Sequence, residues 1–346
     1  MQEFILEYGL FLAKTITLLV AIGLLAGGLA SALHDARHQA AERLEVEPLN
    51  DRYQRLRDAL SEEVLDADGL KREQKLSKKR LKEQRKLNAK NPRKRVYVLD
   101  FEGDLQASAV SELREEVTAL LQLLRKEDEV LLRLESEGGL VHAYGLAASQ
   151  LKRLRDRGFP LTVAVDKVAA SGGYLMACVA DRILAAPFAI VGSIGVVAQI
   201  PNLHRLLKKH DVDVELHTAG EYKRTLTLFG ENTDAARAKF KEELDDTHLL
   251  FKQFVSEHRA QVPIDRAATG EHWFGARALA LNLVDELRTS DDYLLDRADS
   301  ADLFAVHFRR KKPLSERLHF SLLRLGSALR GRALSEGLPQ PPRFML

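Results

Sequence analysis

Short apolar runs alternate with helical patterns over residues 95–300. The strand candidates are VYVLDF (96–101), EVLLRLES (129–136), PLTVAVDKV (160–168), RILAAP (182–187) and VDVELHTA (212–219). Helices are predicted between them, near 108–126, 141–157, 171–180 and 202–210, followed by a long helix from about Thr233 to Arg259. Thr233 is the predicted N-cap of that long helix. Alternation of this kind is typical of an α/β domain.

Two longer apolar stretches raise the question of membrane spans. The chain is uncharged from Thr15 to Leu33, and a helix needs roughly 20 such residues to cross the hydrocarbon core. We therefore predict that residues 1–36 are an N-terminal membrane anchor. A cleaved signal peptide is the alternative, but the run exceeds a typical signal core and no basic region precedes it. Residues 183–200 are also uncharged, yet Pro187 and the glycines that follow favour buried strand and turn over a second span.

The charge is nearly balanced over the 346 residues, at +2, but it is unevenly placed. Residues 37–94 are predicted to be a charged, basic linker that could be helical. We interpret its basic part, 71–95, as a solvated spacer, with anionic lipid or nucleic acid as alternative partners. Residues 301–346 are predicted to be a basic amphipathic tail, lying on a membrane surface, on a neighbouring subunit or on the domain itself. The whole-chain charge gives no argument for a nucleic-acid partner, and the single cysteine, Cys178, excludes a disulfide framework.

Three turns rich in glycine and serine follow or interrupt the apolar strands. They are ESEGGLVHAYG (135–145), VAASGGYLMACVAD (168–181) and IVGSIGVV (190–197). In the second turn a strand runs through Ser171 into a helical pattern, and a helix N-terminus favours a developing negative charge. The amides of Gly139 and Gly172 could then form a two-donor oxyanion pocket. Taken singly, such a serine is usually a helix cap and such a glycine pair a hinge.

A serine nucleophile requires a base. His204, His210 and His217 have no supporting motif. Lys223 is the alternative, and its pKa would have to fall from about 10.4 to near 7, which burial can achieve. The residues alone therefore lead to a possible Ser/Lys hydrolase and no further.

The combination of these motifs resembles the signal peptide peptidase A family. It consists of Gly-Gly at 138, AASGGY at 169–174, GSIG at 192–195 and EYKRTLT at 221–227. The resemblance implies that Ser171 is the nucleophile, that Lys223 is its general base and that Ser193 orients the lysine. It also implies that Gly139 and Gly172 lie in the oxyanion region. Two positions depart from the family pattern, Glu137 in place of proline and Asn282 in place of glycine; asparagine tolerates the left-handed conformation of a helix end.

The resemblance also carries expectations for the whole protein. It implies a crotonase-like α/β fold shared with Clp-type proteases, an N-terminal transmembrane helix and homo-oligomeric rings. The implied activity is endopeptidase cleavage of signal-peptide remnants or other membrane-associated peptides, without a metal or organic cofactor. The implied location is the bacterial inner membrane, crossed once. The charge count places the catalytic domain in the cytoplasm, whereas related peptidases suggest the far side.

Two alternative functions remain open from the sequence. The implied fold also hosts acyl-CoA hydratases and thioesterases, and a non-catalytic membrane scaffold would use the basic segments instead of the serine. His34 and His38 are spaced i, i+4, but no acidic partner is near them in the sequence, so a metal site there is disfavoured.

Overall fold

The computed structural model describes Lys14, Thr17, residues 42–90 and residues 93–309. Apart from Lys14 and Thr17, the predicted membrane anchor lies outside the described residues. So do the histidine pair at 34 and 38 and the tail beyond Arg309. No helix in the described part of the chain combines the length and the apolar character needed to cross a bilayer.

Residues Leu44–Phe308 form one compact unit. Its helices are α1 (Leu49–Val64), α2 (Ala67–Lys90), α3 (Val110–Leu123), α4 (Val141–Arg155), α5 (Gly172–Ala177), α6 (His204–Lys209), α7 (Asp234–His258), α8 (Ile264–Ala267), α9 (Gly275–Ala280) and α10 (Ser290–Ala298). Its strands are β1 (Arg43–Pro48), β2 (Lys94–Gly103), β3 (Glu129–Ser136), β4 (Leu161–Val165), β5 (Val168–Ala170), β6 (Arg182–Ala185), β7 (Ile190–Gly192), β8 (His272–Phe274), β9 (Glu286–Leu287) and β10 (Ala301–Arg309). The second unit comprises Met1–Arg43 and Arg309–Leu346, of which the structure describes only Lys14, Thr17, Glu42, Arg43 and Arg309; the last two are the terminal residues of β1 and β10.

The strands form a largely parallel sheet in the order β1-β10-β2-β3-β4-β6-β9. A branch leaves β3 through β5 and β7 to β8, and β8 is antiparallel to β7. The central pair β2–β3 is in register from Val96 opposite Glu129 to Gly103 opposite Ser136. Ser136, the last residue of β3, pairs with Ala169 of the parallel strand β5. The carboxyl ends of β3 and β5 therefore lie at the same edge of the sheet.

Helices cover both faces of this sheet because alternate residues of each strand point to opposite sides. Along β2, Tyr97 and Leu99 join the cluster packed under α3, α4 and α5, whereas Val96 and Val98 join the cluster beneath α1 and α10. Every residue of β4 is buried, as expected for a parallel strand covered on both faces.

Most predicted elements are confirmed. Strands occur within 96–101, 129–136, 160–168 and 182–187, and the predicted helices have counterparts in α3 to α7. The Thr233 hydroxyl caps α7 by accepting a hydrogen bond from the N–H of Ala236 at 3.2 Å. Residues 183–200 contain strand and turn, not a continuous helix, as Pro187 predicted.

The strand predicted over 212–219 is wrong. The structure has no regular element there, and all of these residues are exposed. The alternating pattern has the period of a strand, but a strand also needs a hydrogen-bonded neighbour. No described strand pairs with this segment.

The sheet takes strands from outside the predicted peptidase range of 95–300. β1 lies within the predicted linker, and β10 lies within the predicted tail, hydrogen-bonded between β1 and β2. The rest of the linker contains α1 and α2.

Asn282, which departs from the glycine of the resembled family pattern, adopts φ 56°. The N–H of Asn282 donates to the Leu279 carbonyl and that of Leu283 to the Ala278 carbonyl, which is the Schellman ending of α9. The expectation of a left-handed asparagine at this helix end is confirmed.

Candidate active site

Ser171 lies between β5 and the N-terminus of α5. Its backbone has φ 52° and ψ −117°, a conformation that costs energy for any residue other than glycine and that is found mainly at functional sites. Its N–H donates to the Gly192 carbonyl at 2.8 Å, and its side chain is half-buried. The strand and the helix together therefore hold this serine at the helix N-terminus, as the sequence predicts.

The Gly138–Gly139 turn lies directly against Ser171. Gly138 has φ 94°, and a Cβ atom there would lie 2.7 Å from the Gly172 nitrogen and 2.8 Å from the Ser171 Cβ. A Cβ at Gly139 would lie 2.2 Å from the Leu105 carbonyl oxygen. Glycine at both positions thus permits the close approach of two loops. Because first-turn N–H groups have no acceptor within their own helix, the amide of Gly172 is suited to bind a developing oxyanion.

Ser193 reaches the same place through strand pairing. Ala170 of β5 pairs with Gly192 of β7, so Ser171 and Ser193 follow paired positions on adjacent parallel strands. Ser193 also has a left-handed backbone, with φ 50°, and its N–H donates to the Glu271 carbonyl at 2.8 Å. The register brings together two serines that are 22 positions apart in the chain.

Lys223 is placed differently. It is exposed in an irregular stretch between α6 and α7, and its N–H donates to the Gly220 carbonyl at 3.2 Å. Within the part of the chain that the structure describes, no hydrogen bond joins Lys223 to Ser171 or to Ser193. The structure thus brings together Ser171, Ser193, Gly139 and Gly172, but not Lys223, whose role as base stays a prediction.

A cavity of about 260 Å³ opens beside Ser171. Glycines 139 and 172 lie in its wall, and the rest of the lining is mainly apolar. The long helix α7 supplies Leu250, Phe251 and Phe254, and α5 supplies Leu175. Such a lining favours an apolar substrate side chain. Among the described residues, no three His, Cys, Asp or Glu side chains are grouped so that they could hold a metal ion.

The sequence pattern did not identify His248, which lies on α7. Its Nε2 is 3.1 Å from the carbonyl oxygen of Ile194, next to Ser193. Since a carbonyl only accepts, Nε2 carries the hydrogen and cannot take a proton from a serine in this arrangement. His248 therefore ties the long helix to the turn after β7, a contact between residues 54 positions apart that local sequence does not reveal.

Comparison with known proteins places the chain in a family. The family model described as Peptidase family S49 N-terminal matches residues 3–151, and the model described as Peptidase family S49 matches residues 153–303. A protein from Haemophilus influenzae named "Probable protease SohB" is 50% identical over 325 residues, covering 91% of this chain and 92% of that protein. A protein of the same name from Buchnera aphidicola subsp. Acyrthosiphon pisum is 56% identical over 233 residues, covering 67% of this chain and 69% of that protein.

The similarity to solved structures is weaker. A structure titled "1510-N membrane protease specific for a stomatin homolog from Pyrococcus horikoshii" aligns with 59% of this chain and 78% of its own, at 12% identity and a TM-score of 0.38. A TM-score this low carries no argument here. The family models and the high identity to relatives along nearly the whole chain, by contrast, agree with the serine and glycine turns described above, and the chain belongs to peptidase family S49.

Proposed function

We propose that this chain is a membrane-associated serine endopeptidase in which Ser171 attacks the scissile carbonyl and Lys223 is the general base. The observation that carries the proposal is the left-handed Ser171 at the N-terminus of α5, in contact with the Gly138–Gly139 turn. Membership of a peptidase family favours this reaction over the acyl-CoA chemistry and the scaffold role. The same membership supports the crotonase-like fold that the sequence resemblance implies.

In this proposal the oxyanion is stabilised by two backbone donors. As the Ser171 oxygen adds to the carbonyl carbon, negative charge collects on the carbonyl oxygen. The N–H groups of Gly139 and Gly172 would donate to that oxygen, and one such donor is typically worth about 3 kcal/mol in the transition state. The dipole of α5 adds to the effect at its N-terminus.

The base must be uncharged to accept the Ser171 proton, and removal from water favours the uncharged amine. Lys223 is exposed in the single chain, so the active protein has to cover the segment that carries it. This segment, residues 211–232, exposes Val212, Val214, Leu216 and Tyr222 by 45% to 56%, which provides apolar surface for such a contact. A neighbouring subunit of a homo-oligomeric ring would provide the cover, and Ser193 would then orient the amine.

The apolar cavity beside Ser171 supports peptide substrates that present an apolar side chain to the cleavage site. Signal-peptide remnants and other membrane-associated peptides fit that description. The predicted anchor in residues 1–36 would hold the enzyme at a bacterial inner membrane and raise the effective substrate concentration. The reaction as proposed uses only protein groups.

The test is covalent labelling with a serine-reactive fluorophosphonate, followed by cleavage of an apolar peptide. We expect the full-length protein in detergent or in vesicles to be labelled, and Ser171→Ala to lose both labelling and cleavage. Ser149→Ala is the matched control, since Ser149 is exposed on α4 and its hydroxyl donates to the Gly145 carbonyl of the same helix. Normal cleavage by Ser171→Ala would contradict the proposal.

A further inference from the structure

Behind the Gly138–Gly139 turn lies a buried chain of hydrogen bonds. The Tyr144 hydroxyl donates to the carbonyl oxygen of Asp104 at 2.7 Å and lies 2.6 Å from the Ser136 hydroxyl. The N–H of Gly138 donates to Ser136 Oγ at 3.0 Å. Because the Tyr144 hydroxyl donates its hydrogen to the Asp104 carbonyl, the Ser136 hydroxyl is the donor in its hydrogen bond with the Tyr144 oxygen. The chain thus runs from the Gly138 N–H through Ser136 and Tyr144 to the Asp104 carbonyl.

Every hydrogen donated in this hydrogen-bond network has an acceptor, and the two side chains at its centre are buried. Tyr144 is 0% exposed and Ser136 is 2% exposed. Burial raises the pKa of Tyr144 above its usual value, so its hydroxyl keeps the hydrogen. Buried networks whose members are all satisfied hold a single geometry, because each misplaced group would leave another unpaired. The buried side chains of Ser136 and Tyr144 therefore restrain the turn that contains Gly138 and Gly139.

The ring of Tyr144 also contacts the second predicted donor. A Cβ atom at Gly172 would lie 2.4 Å from the Tyr144 Cγ, so the ring rests on the backbone of the first residue of α5. A Cβ at Gly103 would lie 2.4 Å from both Ser136 Oγ and the Tyr144 hydroxyl oxygen, so glycine at the end of β2 leaves room for this pair. Tyr144 on α4 thus contacts Gly172 through its ring and is linked to the Gly138–Gly139 turn through the Ser136 hydroxyl.

We propose that Tyr144 and Ser136 are positioning residues that set the relative placement of the Gly139 and Gly172 amides. The inference rests on the proposed function, since it concerns the oxyanion pocket of that reaction. Stabilisation of an oxyanion requires donors that are already aligned before the reaction, and small displacements of a reacting geometry lower rates steeply.

Tyr144→Phe tests the inference because it removes only the hydroxyl and leaves the ring on Gly172. The matched control is Tyr174→Phe. Tyr174 is also 0% exposed, and its hydroxyl donates to the Leu283 carbonyl at 2.9 Å, away from the glycine turn. Tyr174→Phe loses this hydroxyl-to-carbonyl hydrogen bond. Tyr144→Phe loses the bond to the Asp104 carbonyl and also leaves the Ser136 hydroxyl without its acceptor, so we expect both variants to lower the thermal midpoint and Tyr144→Phe to lower it more.

The kinetic results should separate the two variants. We expect Tyr144→Phe to lower kcat by about 10- to 100-fold with KM changed by less than about threefold, because the oxyanion donors act in the transition state. Its affinity for a peptide aldehyde, which forms a tetrahedral adduct with the serine, should fall by a similar factor. Tyr174→Phe should keep kcat and aldehyde affinity within about threefold of the wild-type values.

Ser136→Ala provides a second route to the same measurement, including the case in which Tyr144→Phe does not fold. It should lower kcat in the same way, and the double variant should lose less than the product of the two single effects, because both act through one network. If Tyr144→Phe and Ser136→Ala match Tyr174→Phe in kcat while the wild-type protein shows Ser171-dependent cleavage, the inference is overturned and the proposed function stands. A wild-type protein without Ser171-dependent cleavage would overturn both.

Discussion

The serine side and the lysine side of the candidate site differ in how far one chain organises them. Ser171, Gly138, Gly139 and Gly172 lie within a network of strand pairing, close glycine contacts and buried hydroxyl groups. The lysine segment (residues 211–232) has no regular structure, and its residues from Asp211 to Arg224 are all exposed.

The lysine segment is nevertheless attached at its C-terminal end. The side-chain amide of Asn202 donates to the carbonyls of Thr227 and Gly230, and the N–H of Leu203 donates to the Leu228 carbonyl. The part of the segment that precedes Thr227 carries Lys223 and most of the exposed apolar residues. The single chain thus organises the serine side by itself, and under the proposed function Lys223 would need a further contact to act as the base.

The largest effect should come from Lys223. We expect Lys223→Ala and Lys223→Arg to lower kcat/KM by about 10⁴-fold or more, since neither side chain can accept the serine proton. Arg224→Ala is the control, because Arg224 is the next residue and is also exposed. The measurement is peptide cleavage by purified full-length protein. An active Lys223→Arg enzyme would show that the lysine segment is not the source of the base.

The next largest effect should come from the glycine turn. In Gly138→Ala the added carbon would lie 2.7 Å from the Gly172 nitrogen, so the turn has to move and the oxyanion donors with it. We expect kcat to fall by about 10²- to 10³-fold. Gly158→Ala is the control, since Gly158 also has a positive φ, 77°, but open space around it. This variant should lower the free energy of unfolding by about 1 kcal/mol and leave the cleavage rate unchanged. Equal kinetics in the two variants would contradict a pre-organised pocket.

Ser193→Ala should have an intermediate effect. If the Ser193 hydroxyl hydrogen-bonds the Lys223 amine in the assembled protein, its removal costs one hydrogen bond, or about tenfold in kcat. The thermal midpoint of the single chain should barely change, since the backbone N–H of Ser193 still donates to Glu271. Full activity in this variant would remove the orienting role of Ser193.

The smallest effect should be the pH dependence contributed by Asp104. The N–H and hydroxyl of Ser108 donate to the Asp104 carboxylate and lower its pKa below the usual value. A carboxyl whose folded-state pKa is lowered stabilises the protein at pH above about 4, and this contribution is lost as the pH falls below that value. Thermal unfolding of wild type and Asp104→Ala should therefore differ at pH 7 and converge towards pH 3. A constant difference would show that the carboxylate charge does not stabilise this turn.

Four of the five strands that the alternation of apolar and polar residues predicted are confirmed, as are the helices that frame Ser171. It failed at 212–219, where the strand period is present but no described strand pairs with it. The pattern also missed β10, which belongs to the sheet interior despite its position near the charged tail. These failures share one cause, because periodicity reports the exposure of a segment but not the neighbour it pairs with.

By itself, the sequence determined the features that depend on neighbouring residues. These are the strand-to-helix junction at Ser171, the Thr233 cap, the asparagine end of α9 and the glycine pair at 138. The tertiary structure alone decided that Ser171 and Ser193 follow paired residues on adjacent strands. It also decided that Tyr144 joins the Gly138 turn to Gly172 and that Lys223 is exposed. Strand register and side-chain packing join residues that are far apart in the chain, and the energies that select those partners arise only when the segments meet.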